Sequence, residues 1–479
     1  MKIIFIWGFF VFCSLSNCAQ SEKNQSGCLI EFKNKSYKNK TFYLASHYGK
    51  FQTLIDSVNG DSDGRLIFKK NKKYVGGIYM LVNNTKEIEI EFLMDEKQQF
   101  KIEPDTQNSS KTAIYQSPIN IDFRDFNLFL KAKQLQIELL KPRLETAENK
   151  AEIIVFQKKI ESIKNEINQY KQNYISSHTN TLALLFKLTQ PIDDFSSLKR
   201  YQKLLTNEDS ISYLKNNYFK GINFKDSRLL RNPFLESKLS SYFEVFVPKT
   251  VEAITEEITK ILDAANTPKD ETFKYLSLYF MDLYINPKIM GYDRIFINLY
   301  NTYFKTQTYD WLTLTQKELF KSKARLLEYN QIGSKARELF MNSIDGNSLN
   351  LYELKSNYIV LIFWDPTCGH CQSEIPRINN LYQNNWGKID VSIYAVNMNS
   401  KVQNEWREFI KNHNLNRWNH VSPSAVVNGD YSQKDIDYKT LYNIGQTPVY
   451  YLLDKSKTII AKDIDPKDYI KFIDRQRIN

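Results

Sequence analysis

Residues 363–376 read FWDPTCGHCQSEIP, and two thiols, Cys368 and Cys371, stand three positions apart within them. Such a pair can clamp a metal, tether a haem, staple a loop or cycle between dithiol and disulfide. A haem tether needs His directly after the second cysteine, and Gln372 is there. Structural zinc needs two more ligands at comparable spacing, and this region offers the isolated His413 and His420. A peroxidatic cysteine would follow a Thr by three positions and a Pro by six, where this chain has Asp365 and Ile362. An inert structural disulfide and a redox pair stay open.

The compartment bears on that choice. The chain starts MKIIFIWGFFVFCSLSNCAQ, with Lys2 before an apolar run from Ile3 to Val11. That run is too short to span a bilayer and reads as an export signal, residues 1–19. Cleavage after Ala19 would leave Gln20 first. Alternatively LSNC is a poor lipobox, with Asn17 where a small residue is usual, and Cys18 would be lipidated. Export predicts a periplasmic or envelope location, with membrane contact only through a lipid on Cys18. With Cys13 and Cys18 set aside, only Cys28, Cys368 and Cys371 remain, too few and odd in number for a disulfide-stapled scaffold. A chemical role for the pair gains weight.

The 479 residues exceed one ordinary core. Residues 26–118 read as short β-branched and aromatic strands (CLIEF, KTFYLASHY, RLIFK, GGIYMLV, EIEIEFLM, QQFKIEP) separated by NGDSDG and NNTK turns. They predict an antiparallel sandwich or barrel, followed by a polar linker, DTQNSSKTAIYQSPIN. The formal charge of +11 is scattered, and its densest cluster, KKNKK at 69–73, is expected to be a solvated hairpin turn rather than a nucleic-acid contact. Residues 122–330 turn helical. The clearest stripe is Ile153, Phe156, Ile160, Ile163, Ile167, Tyr170 and Tyr174, which could seat a second chain or pack within its own domain. Nothing there clusters metal-ligating side chains. Residues 331–479 alternate: strand YIVLIFW, helix CQSEIPRINNLYQN, strand VSIYAV, helix VQNEWREFIKNH, strands TPVYYLLD and KTIIAKDI, and helix PKDYIKFIDRQ. The pattern is a small α/β domain with a mixed sheet.

A CxxC at a strand-to-helix junction puts its first thiol at a helix N-terminus. Unpaired amides and the helix dipole there favour thiolate, the species that attacks disulfides. Cys368 would attack and Cys371, one turn on, would resolve. These residues resemble the thioredoxin superfamily. The match includes Trp364 before the motif, Pro376 five residues after the second cysteine, and Thr447-Pro448, which matches the family's cis-proline loop facing the disulfide. IGSKARELFMNSIDGNSLNLYEL looks like the extra hairpin of the envelope-facing, TlpA-like branch. More loosely, the whole chain resembles envelope proteins that add an N-terminal β-domain and a helical domain of unknown function.

The resemblance implies a thiol:disulfide oxidoreductase with no cofactor beyond the Cys368–Cys371 pair and no metal. Its partners would be disulfide-bearing envelope proteins and a thiol electron donor or acceptor, with no nucleic acid. Gly369-His370 is the dipeptide of disulfide isomerases, and His370 would tune the Cys368 thiolate. One departure stands out: the buried Asp often found six residues before the first cysteine is Ile362, with Glu374 as a conceivable substitute base. His47, His178 and Cys28 are expected to be packing residues. The rival reading is a non-catalytic envelope binding or assembly protein that keeps the fold for shape.

Overall fold

A computed structural model describes residues 27–105, 107–191, 207–265, 271–386, 389–423, 437–462 and 464–478. The expected export signal, with Cys13 and Cys18, lies outside the described residues. The chain divides into two compact units, one of Met1–Pro248 with Lys260–Leu276 and the other of Lys249–Thr259 with Ser277–Asn479.

In the first unit the strands are β1 Cys28–Lys33, β2 Thr41–Tyr48, β3 Phe51–Asn59, β4 Arg65–Lys70, β5 Gly77–Val82, β6 Ile88–Met94, β7 Gln99–Glu103 and β8 Ala113–Tyr115. They form two four-stranded sheets, β4-β1-β7-β8 and β3-β2-β5-β6. Alternation sends Cys28, Ile30 and Phe32 from one sheet and Phe42, Leu44, Tyr79 and Leu81 from the other into a shared core. The sandwich expectation holds, with one refinement: β1 and β7 pair in parallel. β3 and β8 were not anticipated, and β8 lies inside the stretch read as linker. The exposed 69–73 cluster links strands of different sheets, so it is a crossing between sheets and not a hairpin turn.

Helices α1 Pro118–Glu145, α2 Lys150–Ser177 and α3 Thr181–Leu188 follow. Ile78 and Leu93 on the outer sheet face pack with Phe126, Leu182 and Phe186, so every residue of β5 is buried. Buried Asn120 completes the edge strand β6, accepting from Leu93 N at 2.6 Å and donating to Leu93 O at 3.0 Å. The stripe on α2 packs in its own chain: Tyr170 stacks on Phe129 at 5.0 Å and Tyr174 donates to Asp122 at 2.8 Å. All seven stripe residues are half-buried. Helices α4 Asn207–Asn217 and α5 Leu235–Phe246 belong to this unit, and α6 Val251–Ala265 and α7 Glu271–Ile285 contribute to both.

The second unit adds α8 Asp293–Leu299, which runs into a π-turn at Tyr300–Phe304, and α9 Leu314–Leu327. Then come β9 Met341–Ser343, β10 Tyr358–Trp364, α10 Gly369–Leu381, β11 Val391–Asn397, α11 Gln403–Asn412, β12 Asn419–Pro423, α12 Tyr438–Leu441, β13 Val449–Asp454, β14 Ile459–Lys462 and α13 Tyr469–Ile478. One mixed sheet is ordered β14-β13-β10-β11-β12-β9, with β10 parallel to β11 and antiparallel to β13. β10 is apolar throughout because each face has its own core. Val360, Ile362 and Trp364 point to one, and Ile359, Leu361 and Phe363 to the other. The expected hairpin supplies β9, closed by an Asn342–Ser348 bridge, and β9 pairs with the unanticipated β12.

His47 in β2 and His420 in β12 are buried, and burial lowers both pKa values to about 4. An unfolded histidine titrates near 6.5, so the unfolded chain takes up these protons first. The stability that neutral burial provides is therefore complete above about 6.5 and drains as pH falls towards 4. A displacement from 6.5 to about 4 amounts to roughly 3 kcal/mol per histidine at most. Melting curves taken from pH 7 to 4.5 should fall, and His47→Phe should flatten the fall. An unchanged slope in that variant would assign the acid lability to other groups.

Candidate active site

β10 delivers the chain to residue 364, and α10 starts at residue 369, so four residues turn it round. Asp365 organises that turn. Its Oδ1 accepts from Thr367 N at 2.8 Å and from Thr367 Oγ1 at 2.7 Å, and its Oδ2 accepts from Asn399 at 3.1 Å. Cys368 N donates to Asp365 O at 3.1 Å. Cys368 is thereby the N-cap residue of α10, with extended backbone (φ −80°, ψ 124°), and Gln372 N donates to its carbonyl at 2.9 Å.

The two thiols are unequal. Cys368 is half-exposed and Cys371 fully buried. The Cys371 backbone N–H, and then Thr447, lower the Cys368 pKa below the ordinary thiol range. Burial pushes Cys371 up to about 11, although Asp365 N donates to its sulfur at 3.5 Å. The half-exposed thiol thus ionises first, while the buried one holds its proton.

Opposite them, Cys368 Sγ donates to Thr447 O at 3.6 Å, and the Thr447–Pro448 bond is cis, the conformation the resemblance implied. Trp364 is fully buried in the core that also holds Cys371, 5.3 Å from the Phe409 ring. Pro376 lies inside α10. Gly369 has open space around the position a Cβ would take. The His370 ring is exposed, and it is the His370 backbone N–H that contributes to lowering the Cys368 pKa.

Ile362 is fully buried in the same core, and its cross-strand partner is Tyr450. Glu374 is half-exposed and paired with Arg377 at 2.5 Å, and Arg377 also reaches Asp465 at 2.9 Å. These groups line a cavity of about 910 Å³ beside Pro448, together with Tyr450. Burial raises the Tyr450 pKa, so its hydroxyl is neutral at any ordinary pH.

The other singled-out residues lie elsewhere. His413 caps α11 against Phe409, and His420 lies between Trp406 and Trp418 with its ring 2.9 Å from Leu415 O. His47 and His178 belong to the first unit, the latter stacked on Tyr174 at 4.0 Å. Cys28 is buried in the sandwich core, and burial raises its pKa to about 11. Among the described residues no group of three or more His, Cys, Asp or Glu is placed to hold a metal ion. Sequence reasoning missed the anchoring role of Asp365 and the Arg377–Asp465 pair. An Asp three residues before a helix-opening cysteine was the available signal for the first; the second joins residues far apart in sequence and had none.

A central strand that ends in a helix-capping thiol, a buried second thiol and a facing cis-proline define a thioredoxin-like domain of the thiol:disulfide oxidoreductases. Residues 332–462 match the AhpC/TSA family, and residues 161–330 match a domain of unknown function, DUF5106. The chain is similar to the thiol-disulfide oxidoreductase ResA of Bacillus cereus, 26% identical over 137 residues, 29% of this chain and 72% of that protein. The ResA of Bacillus anthracis is 29% identical over the same shares. Among solved structures, a domain of a possible thiol-disulfide isomerase from Cytophaga hutchinsonii is 35% identical over 31% of this chain and 93% of that one, with a TM-score of 0.27. A thioredoxin-like protein from Bacteroides caccae is 21% identical over 61% of this chain and 99% of that one, at 0.43. The chain therefore has a thioredoxin-like domain in thiol–disulfide exchange, preceded by a β-domain and a helical region.

Alkylation by iodoacetamide across pH should separate the thiols. Cys368 should react with a midpoint below the free-thiol value of about 8.5, and Cys371, in a Cys368→Ser chain, with one near 11. Equal midpoints would remove the asymmetry.

Proposed function

We propose that this chain is an exported thiol:disulfide oxidoreductase that exchanges disulfides with envelope proteins through its CGHC dithiol. The carrying observation is the inequality of the two thiols: a half-exposed Cys368 with lowered pKa at the α10 N-terminus, and a buried Cys371 with raised pKa behind it. The apolar run near the N-terminus supports export, and the ResA similarity supports the reaction class.

In the forward direction the Cys368 thiolate attacks one sulfur of a substrate disulfide. A Cys368–substrate disulfide forms and the other substrate sulfur leaves as thiolate. Cys371 then gives its proton to the released substrate thiolate and attacks Cys368 Sγ. The mixed disulfide breaks, the second substrate sulfur leaves as thiolate, and two electrons have passed from the enzyme dithiol to the substrate. A thiol donor of the compartment restores the dithiol; run backwards, the same steps oxidise a substrate. Thr447 and Pro448 present the loop along which the substrate backbone lies. Burial of Cys371 keeps it from competing with Cys368 for the first attack.

Glutathione-equilibrated titration of the pair fixes the direction. A potential of roughly −270 to −220 mV assigns a reductase, and one of roughly −180 to −120 mV assigns an isomerase or oxidase and makes His370 the residue to mutate next. Cys368→Ser should abolish turnover of a peptide disulfide, whereas Cys371→Ser should accumulate the mixed disulfide. A chain with no reversible dithiol couple would be a binding or assembly protein, and the enzymatic proposal would fall.

A further inference from the structure

Four buried polar side chains in the second unit take no part in the exchange chemistry: Asp293 on α8, Asn330 and Gln331 after α9, and Lys462 on β14. Their exposures are 6%, 1%, 7% and 2%. Lys462 Nζ donates to Asp293 Oδ2 at 2.5 Å and to Asn330 Oδ1 at 3.0 Å. Gln331 donates to the same Asp293 oxygen at 3.2 Å. Asn330 uses its other end as a donor, to Leu326 O at 2.7 Å and to Leu441 O at 3.2 Å.

A buried ion pair is weak evidence for stability, because desolvating both charges offsets most of their attraction, and apolar side chains of equal size usually serve as well. What such a network adds is a fixed geometry. Leu441 is the last residue of α12, a four-residue helix too short to hold itself. The carbonyls of Tyr438, Lys439 and Thr440 accept the backbone N–H groups of Tyr442, Ile444 and Asn443, and Asn330 satisfies the remaining one, that of Leu441. The chain leaving α12 is braced again where Tyr451 Oη donates to Tyr442 O at 2.6 Å and Ile444 N donates to Lys439 O at 2.8 Å. Six positions beyond Leu441 stands Thr447, whose carbonyl faces Cys368 Sγ.

We propose that Asn330, held by the Lys462–Asp293 pair, is a positioning residue through which the helical segment sets the Thr447-Pro448 loop against Cys368. The strut runs from α8 through Asp293, Lys462 and Asn330 to the end of α12, and from there along the loop. It rests on the reading of Cys368 as the attacking thiol. A loop released from Asn330 would withdraw Thr447 from the sulfur and misalign an incoming disulfide, while the sheet and the CGHC turn stayed as they are.

Asn330→Asp tests this in the full chain, because it keeps the acceptor for Lys462 and loses the donor to Leu441. Asp293→Leu with Lys462→Met removes both charges at similar volume and leaves the Leu441 contact. Lys471→Ala, which removes an exposed pair with Asp468, is the control. Two readouts go beyond stability: the pH profile of Cys368 alkylation, and kcat and KM for a peptide disulfide.

Both test variants should shift the Cys368 alkylation midpoint by about one unit, a tenfold change in rate at pH 6. Both should raise KM more than they lower kcat, and the control should match the parent. A profile and KM like the parent's, whatever the melting temperature, would overturn the proposal. So would a shift in Asn330→Asp alone, since Asn330 would then act without the helical segment. If Asn330→Asp fails to fold, the paired variant decides by itself. A parent chain with no early-ionising Cys368 would instead sink the functional reading.

Discussion

The second unit depends on where a helix begins. α10 starts one residue after Cys368, and the position of that start is fixed by Asp365, whose carboxylate gathers Thr367 and Asn399 while its carbonyl takes the Cys368 N–H. At that point the first-turn amides have no partners in the helix, and a sulfur placed among them keeps a negative charge more easily than in water. Three residues later the same helix has turned its next thiol into the core. The proximity of the two sulfurs is a matter of spacing, and their difference is a matter of solvation.

That start can be held in place because β10 is immobilised on both faces. Each of its buried side chains belongs to one of two cores, and its neighbours β11 and β13 run in opposite senses. β13 begins directly after the cis-proline, so pairing of β10 with β13 brings the loop to the thiols. The register that sets Phe363 against Val449 and Ile362 against Tyr450 also places Tyr450 at the level where related domains often bury an acid. Burial dominates the surroundings of the Cys371 thiol, and the polar groups that act on it are the Asp365 N–H, Thr447 and Cys368.

The first unit is built on a different constraint. A two-sheet sandwich buries one face of each sheet, and here a second layer of helices covers part of the outer face of β5 and β6, which is why β5 shows no polar alternation. Asn120 completes the backbone of β6 at the edge, a task that sheet pairing would otherwise leave to another chain. The half-buried stripe on α2 follows from pairing with α1, which covers one side of it.

Much of this was legible in residue order because it is local. The CxxC, the apolar run before it, Pro376 and the Thr-Pro dipeptide lie within short windows, and period and spacing suffice to read them. The long helices and most strands were legible for the same reason. β12, β3 and β8 were not: they are short or carry polar residues on one side, and they are strands because a neighbour offers a free edge. The parallel β1–β7 pairing and the crossing at 69–73 depend on which sheet each strand joins. The unequal solvation of Cys368 and Cys371, the Arg377–Asp465 pair and the Asn330–Lys462–Asp293 network join residues up to 169 positions apart. The sequence by itself determined the reactive groups and the elements that carry them, since covalent spacing and hydrophobic period are properties of neighbours along the chain. Burial, ionisation and alignment were decided by the tertiary structure, because each is the sum of what distant segments bring to one point.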